Sequence, residues 1–390
     1  PTIHSFQNGL FVTTSNRFYH WERKPGRHSI EELEGNLTAC KYHDIPFDEE
    51  GMERDVEEYY EKQNIKTYMA IKMDPVHTIL DTQKFSCEER QWIFCLLGRL
   101  LFPIGAHDDW GVFPYFLGLA GTGKSTCLRF VAELFEKRDV GYLNNTLQKT
   151  FALGGICDKL LYLALDIDED FQLDQATFQS MVVGEEVSII RKYKSPLTIK
   201  WKVHGGFAGN KLPSWTDNGG SLSRRLIVVE FQKTVSKCDP NLFEKCLAVR
   251  DRFLKVIVSA YHEMTTKHRN KGIKEVIPEK FKKSERTALS GLNCLLSFVK
   301  ENCDIEEVEG DEERTMVQSF KDFNKAFKKY CTNESIRPHP TLTYQYCTNV
   351  FAKYGVEIMT PTRTGVDKHG QTAKYILGLQ LKPSALEGLE

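Results

Sequence analysis

The stretch Gly118-Leu-Ala-Gly-Thr-Gly-Lys-Ser-Thr126 decides how the rest of this 390-residue chain is read. It directly follows the apolar run Val112-Phe-Pro-Tyr-Phe-Leu117. Beyond Lys124, the apolar positions Leu128, Val131 and Phe135 recur at helical spacing. Strand, loop, helix is therefore the predicted order. Gly118 followed by Gly123-Lys124-Ser125 fits the phosphate-loop pattern. In that pattern the backbone from Gly118 through Leu119, Ala120, Gly121, Thr122 and Gly123 to Lys124, Ser125 and Thr126 closes around phosphates. Lys124 meets the outer phosphates, the Ser125 hydroxyl can ligate Mg²⁺, and the helix N-terminus adds its dipole.

Composition bounds what surrounds this loop. With 41% apolar and 11% aromatic residues the chain buries real cores, and its length suits two to four domains. The net charge of −1 confines any nucleic-acid affinity to local patches. Eleven cysteines with no CxxC argue for reduced thiols in an intracellular protein, against a zinc site or a secreted disulfide framework. No apolar run reaches the roughly 18 residues a membrane span needs, and no signal-peptide pattern is present. A first residue that is Pro1 rather than Met suggests a fragment of a longer polypeptide.

Four segments organise the chain: 1–82, 83–235, 236–303 and 304–390. The first holds strand-like runs at Gly9–Thr13 and Arg17–Trp21, then an acidic stretch, Asp48–Glu61, that reads as a solvated helix. Ser86-Cys-Glu-Glu89 is a capping box opening an apolar helix that Pro103 ends. Leu160–Leu165 reads as a buried parallel strand, and Val187–Val203 as two strands around Arg191–Pro196. A further strand spans Leu226–Phe231. Asp239-Pro240 is a helix start opening a helical region to about residue 300. Asp304–Glu313, with seven acids and no base, suits a linker. Beyond it come a helix striped by Phe320, Phe323, Phe327 and Tyr330, a second helix over Thr341–Tyr354 capped by Gly355, and strand-like runs at Val356–Thr360 and Ala373–Leu381. Helix, helix, hairpin is the order of a winged-helix module.

Candidate chemistry clusters after the loop. Leu165-Asp-Ile-Asp-Glu-Asp170 ends the buried strand, with Asp166 and Asp168 on one side and Glu169 opposite. One acid suits water-mediated Mg²⁺ binding and another suits orienting an attacking water. Asn210 tips the next strand, where a neutral amide meets a γ-phosphate without adding charge. Ser223-Arg224-Arg225 precedes the last strand, either as surface charge or as arginines that stabilise transition-state charge on a neighbour's nucleotide. The hairpin carries Arg191, Lys192, Lys194, Lys200 and Lys202 with no acid over 187–203, and Tyr193 between lysines is placed to stack on a base. Its plain alternative is lysines protecting a solvated edge. Lys267–Arg286 holds eight Lys or Arg against three Glu and reads as a solvated loop, with a second DNA surface as the alternative.

In that order, these features resemble the superfamily 3 helicases, and more closely the helicase halves of primase–helicases of poxviruses, other large DNA viruses and some phages. The stretches carrying the likeness are Trp110–Thr126, Met181-Val-Val-Gly-Glu-Glu186 and Ser223-Arg-Arg-Leu226; it is specific over 85–235 and looser on either side. Asn8-Gly9 and Lys41–Phe47 resemble the domain that precedes this core. The resemblance implies an α/β AAA+-like phosphate-loop ATPase core, with a mixed N-terminal domain, a helical connector and a winged-helix-like C-terminal domain. It implies ATP and Mg²⁺ as cofactors, a homo-hexameric ring, and single-stranded or forked DNA drawn through a central channel by the hairpin residues Arg191, Lys192, Tyr193 and Lys194. On it, Lys124 serves nucleotide, Ser125 and Asp166 serve the metal, Asn210 senses the γ-phosphate, and Arg225, or else Arg224, is the finger in trans. The family's acidic pair is often adjacent, whereas Ile167 follows Asp166, so Asp168 and Glu169 both stand as the catalytic acid. A viral source would place the protein in host cytoplasm or nucleus, with a primase domain possible in the same longer chain. Two other readings stay open: a nucleotide-binding assembly platform that does not unwind DNA, and a phosphate-loop small-molecule kinase.

Overall fold

The computed structural model describes residues 2–144, 152–168, 171, 173–191, 194–213, 215, 221–235, 239–306, 314–334, 342, 344–359 and 373–386. The chain divides into two compact units, Pro1–Lys211 with Arg224–Glu285, and Leu212–Ser223 with Arg286–Glu390. Both mix helix and strand.

The first unit opens with a four-stranded sheet of β1 (Ile3–Phe6), β2 (Gly9–Val12), β3 (Arg17–His20) and β4 (Lys41–His43), in the order β3-β2-β1-β4. β2 and β3 fall where the aromatic-rich runs predict them; β4 returns parallel beside β1. Asn8 straps the sheet to the chain that follows. Its Nδ2 donates to the Phe47 carbonyl at 3.0 Å, and its Oδ1 accepts from Phe47 N at 2.7 Å. Inside the same sheet, His4 Nδ1 and His43 Nε2 lie 3.2 Å apart with both rings buried, and Phe6 stacks on His43. Burial first, then neighbouring positive charge, lowers the pKa of His4 to about 3 and of His43 to about 2, so both rings are neutral.

Three helices follow: α1 (Glu49–Gln63), α2 (Asp74–Thr82) and α3 (Cys87–Arg99). The acidic stretch forms α1, capped by Asp48 and closed by Asn64 in the left-handed region. Several of its acids are paired rather than merely solvated: Arg252 bonds both Asp48 and the buried Asp55. Ser86 and Glu89 make the reciprocal capping box of α3, at 3.2 and 2.9 Å.

The central sheet holds β5 (Phe113–Gly118), β6 (Val140–Tyr142), β7 (Leu161–Ile167), β10 (His204–Gly209) and β11 (Leu226–Phe231). Between them run α4 (Lys124–Ala132), α5 (Gln175–Val183) and the antiparallel hairpin β8 (Glu186–Arg191) and β9 (Lys194–Lys200). The order is β11-β5-β10-β7-β6, and every pairing is parallel. Strands buried on both faces explain the unbroken apolar runs. The chain leaves β5 toward the β6 edge and leaves β10 toward the β11 edge, so winding reverses between these neighbours. Open α/β sheets bind ligands at such a reversal, outside the carboxyl ends of the strands.

Helices α6 (Leu242–Ala248), α7 (Arg250–Lys267) and α8 (Ile273–Val276) complete this unit, and α9 (Glu279–Asn302) runs on into the second. The Asp239-Pro240 pair does not begin α6. Asp239 Oδ1 accepts from Asn241 N at 2.9 Å, which makes a turn, and the helix starts two residues later. α3 and α7 pack along each other. Arg99, at 1% exposure, joins them to the loop between: its guanidinium grips Asp108 at 2.8 and 2.9 Å, and the Tyr261 hydroxyl donates to the same carboxylate. Burial works to raise the Asp108 pKa, but these donors outweigh it and hold the group at about 2.

In the second unit, β12 (Cys303–Ile305) pairs with β16 (Leu379–Leu381), and β13 (Val317–Ser319), β15 (Tyr375–Leu377) and β14 (Glu357–Met359) form a sheet in the order β13-β15-β14. Asp304 thus belongs to a strand rather than to a linker, while 307–313 lie outside the described residues. Helix α10 (Phe320–Asn333) buries Phe323 and Phe327, α11 (Tyr344–Phe351) leads to Gly355 at φ +63°, and α12 (Pro383–Leu386) closes the unit. Helix, helix and the β14–β15 pair occur in the expected order, with the polar tip outside the described residues.

Candidate functional site

The carboxyl ends of β5, β7 and β10 gather most of the candidate residues. Gly118 ends β5 so close to β11 that a Cβ would stand 2.2 Å from the Phe231 carbonyl oxygen. Gly123 enters α4 at φ +90°, a left-handed conformation against Ile79 that a side chain would strain. No side chain caps α4, so its first-turn N–H groups remain a ready anion cradle.

Lys124, the first residue of α4, is 6% exposed. Its Nζ donates to the Leu119 carbonyl at 3.0 Å and to Asn210 Oδ1 at 3.1 Å. Burial lowers its pKa, with Asp166 opposing. Ser125 Oγ donates to the Leu165 carbonyl at 3.0 Å, immediately before Asp166. Gly209 of β10 pairs with Ile167 on one side and Leu117 on the other, which brings Asn210, Asp168 and Gly118 level at one edge. Asp166 in β7 and Asp168 just past its end are exposed and Ile167 between them is buried, as strand alternation predicts. Glu169 lies outside the described residues. The Tyr115 hydroxyl donates to the Lys211 carbonyl at 2.6 Å and braces β5 against the end of β10.

One residue of this edge escapes sequence reasoning. Gln83, just past α2 and buried, donates from Nε2 to the Thr122 carbonyl at 3.0 Å and to the Lys233 carbonyl at 2.6 Å, while its Oε1 accepts from Lys233 N at 2.9 Å. Val235 N adds a bond to the Gly121 carbonyl at 3.1 Å. The glycine-rich loop is thereby latched to the exit of β11. No local pattern marks a glutamine whose partners sit 39 and 150 positions away. Gln83→Ala should strand the buried Thr122 carbonyl and two partly buried backbone groups of Lys233, and cost about 2 kcal/mol of unfolding free energy. Urea denaturation checks it; an unchanged midpoint would show that the latch contributes nothing.

Arg224 and Arg225 stand at the opposite edge. Phe113 N donates to the Arg225 carbonyl at 2.7 Å, and Leu226 pairs with Phe113, the first residue of β5. Five steps of strand, about 17 Å, separate that level from Gly118. Arg224 is exposed and Arg225 half-buried. Burial lowers the Arg225 pKa, Arg224 lowers it further, and Glu185 opposes. Neither arginine reaches the glycine-rich loop of its own chain.

The hairpin occupies this amino edge as well, since β9 feeds β10. Its strands pair from Glu186↔Lys200 to Arg191↔Lys194, so Arg191, Lys194, Ser195 and Pro196, which the sequence suggests are part of a six-residue tip, belong to the strands. Lys192 and Tyr193 lie outside the described residues, and of Arg191 and Lys194 only the backbone is described. Trp201, at 1% exposure, anchors the base. Ile190 and Leu197 are exposed on the hairpin.

Among the described residues no cluster of three or more His, Cys, Asp or Glu is arranged to hold a metal. No described helix is long and apolar enough to cross a membrane.

Residues 116–225 match a family whose description is "Family of unknown function (DUF5906)". The match runs from β5 to Arg225 and so includes the glycine-rich loop, the Asp166–Asp168 edge, the hairpin and both arginines. No curated protein matches the chain. Similar solved structures include the A-form apo structure of the NrS-1 C-terminal region spanning 305–718, at 13% identity and TM-score 0.39, covering 78% of this chain and 75% of that one. A second A-form apo structure of the NrS-1 C-terminal region shows 15% identity and TM-score 0.39 over 80% and 76%. An apo structure of the 305–718 region shows 14% and 0.38 over 78% and 75%. Likeness of this degree leaves function to be argued from the residues.

Proposed function

We propose that this chain is an ATP-driven DNA helicase of the superfamily 3 kind, built on a phosphate-loop ATPase core. The observation that carries the reading is the meeting of Lys124 Nζ with Asn210 Oδ1 at 3.1 Å, beside Ser125 and Asp166, where the winding of the parallel sheet reverses. A buried ammonium and an uncapped helix start favour the outer phosphates of a nucleoside triphosphate. Asn210 reports on the γ-phosphate from the neighbouring strand. Ser125 Oγ and the Asp166 carboxylate suit Mg²⁺, which when bound neutralises charge on the phosphate oxygens. Asp168, on the same side of β7 as Asp166, is the described acid placed to orient water; Glu169 is the other candidate.

The two sheet edges divide the labour. Nucleotide chemistry belongs to the carboxyl edge. The basic hairpin and Arg224–Arg225 belong to the amino edge, so the arginines serve the nucleotide of a neighbouring copy, and copies close into a ring around single-stranded DNA. Cleavage in one copy then shifts hairpins that grip the strand. Lys194→Ala should retain most ATP turnover and lose strand separation on a forked duplex. Normal unwinding by that variant would remove the hairpin from the mechanism. Absence of ATP turnover by the wild-type chain, with and without single-stranded DNA, would leave a nucleotide-binding platform instead.

A further inference from the structure

A polar cleft of about 690 Å³ opens between the Gly105–Trp110 loop and the turn after α7. Its volume lies within the usual range of ligand sites, roughly 300–1,000 Å³. Arg269, Asn270 and Lys271 line it and are exposed, and neither cation forms an ion pair with a described residue. Its two acids are unequal. Asp108 is spent on Arg99 and Tyr261, leaving Asp109 as the carboxylate that faces solvent. The imidazoles of His107 and His262 sit side by side at 5.0 Å in the same lining. Trp110 supplies a half-buried aromatic wall, backed by Trp92 at 5.8 Å, which in turn stacks on His268.

The loop is held rigidly and in a telling place. Asp108 Oδ1 accepts from Trp110 N at 3.0 Å, so the Arg99 grip fixes the tryptophan's backbone. Ile104 N, at the start of the loop, donates to the carbonyl of Lys202 at the base of the hairpin, at 3.0 Å. The cleft therefore belongs to the amino edge of the sheet, beside the element assigned to grip DNA. Uncommitted cations next to an aromatic face suit one repeating unit of a single strand, with the phosphodiester at the cations and the base on the ring.

We infer that this cleft is a second contact for single-stranded DNA, taking a phosphate on Arg269 and Lys271 and a base on Trp110, alongside the hairpin. The inference rests on the helicase reading above. The test is fluorescence anisotropy of a labelled oligothymidylate with the full chain across a salt series. Arg269→Glu/Lys271→Glu should weaken binding by more than about ten-fold, and the slope of log K against log salt should fall by about 0.7, as expected for one phosphate. The charge-preserving Arg269→Lys/Lys271→Arg should bind as wild type, and melting curves confirm that each variant is folded. If the wild type binds the oligonucleotide and the folded charge-reversed variant keeps both affinity and slope, the cleft inference alone fails. If the wild type binds none, the helicase reading fails with it. If free thymidine monophosphate stabilises the wild type but not the reversed variant, while oligonucleotide binding is the same in both, the cleft is a small-anion site and the inference is overturned.

Discussion

Lys124→Ala is expected to abolish ATP turnover, and strand separation with it, in a protein that still folds. The side chain gives two hydrogen bonds, to Leu119 and Asn210, and its burial lowers its own pKa. Removing it therefore costs little stability, about 1 kcal/mol. What it removes from the site is the one cation among the described residues that meets Asn210 where the outer phosphates would lie. A preorganised charge of that kind accounts for on the order of 10²–10³ in rate, and its loss here also removes the phosphates' anchor. Phosphate release and a melting curve on the same sample check both halves. Wild-type turnover by folded Lys124→Ala would remove the glycine-rich loop from the chemistry.

Arg225→Ala should lower turnover by roughly 10³–10⁵ if the arginine completes a neighbour's site, since that is the range for arginine fingers. Because about 17 Å of strand divides Arg225 from its own loop, the defect belongs to the partner site. Two consequences are measurable. Wild-type turnover should rise more than linearly with protein concentration in the range where copies associate. Mixing Lys124→Ala with Arg225→Ala should restore part of the activity, because an intact lysine then meets an intact arginine across a boundary. Linear turnover with no rescue on mixing would place the arginines outside the reaction. Arg224→Ala, measured in parallel, identifies which of the pair reaches across.

What could be read from the residues alone was what short-range chemistry writes locally. The strand–loop–helix order around Gly118–Thr126, the Ser86–Glu89 cap, the alternation around Asp166 and the Gly355 stop each depend on neighbours within a few positions, and each takes the predicted form. Asp239-Pro240 misled because an Asx-type turn and a helix cap use the same residues. The Gln83 latch, the Arg99–Asp108–Tyr261 clamp and strand β4 depend on partners brought close only by the fold. Asp304 read as linker because its acidic surroundings outweighed a three-residue strand whose mate lies 76 positions on, at Gln380.

The two neutral imidazoles packed between β1 and β4 make the amino-terminal sheet an acid-labile part of the first unit. In an unfolded chain each ring gains its proton near pH 6.5, whereas the folded sheet withholds it until about 3 for His4 and about 2 for His43. Across that interval opening is rewarded with two protons, so stability is whole above pH 6.5 and drains as the medium sours. At about 1.4 kcal/mol per ring and pH unit, a drop to pH 5 withdraws about 4 kcal/mol, a large share of what holds a domain together. The Asn8–Phe47 strap would slacken along with the sheet it fastens.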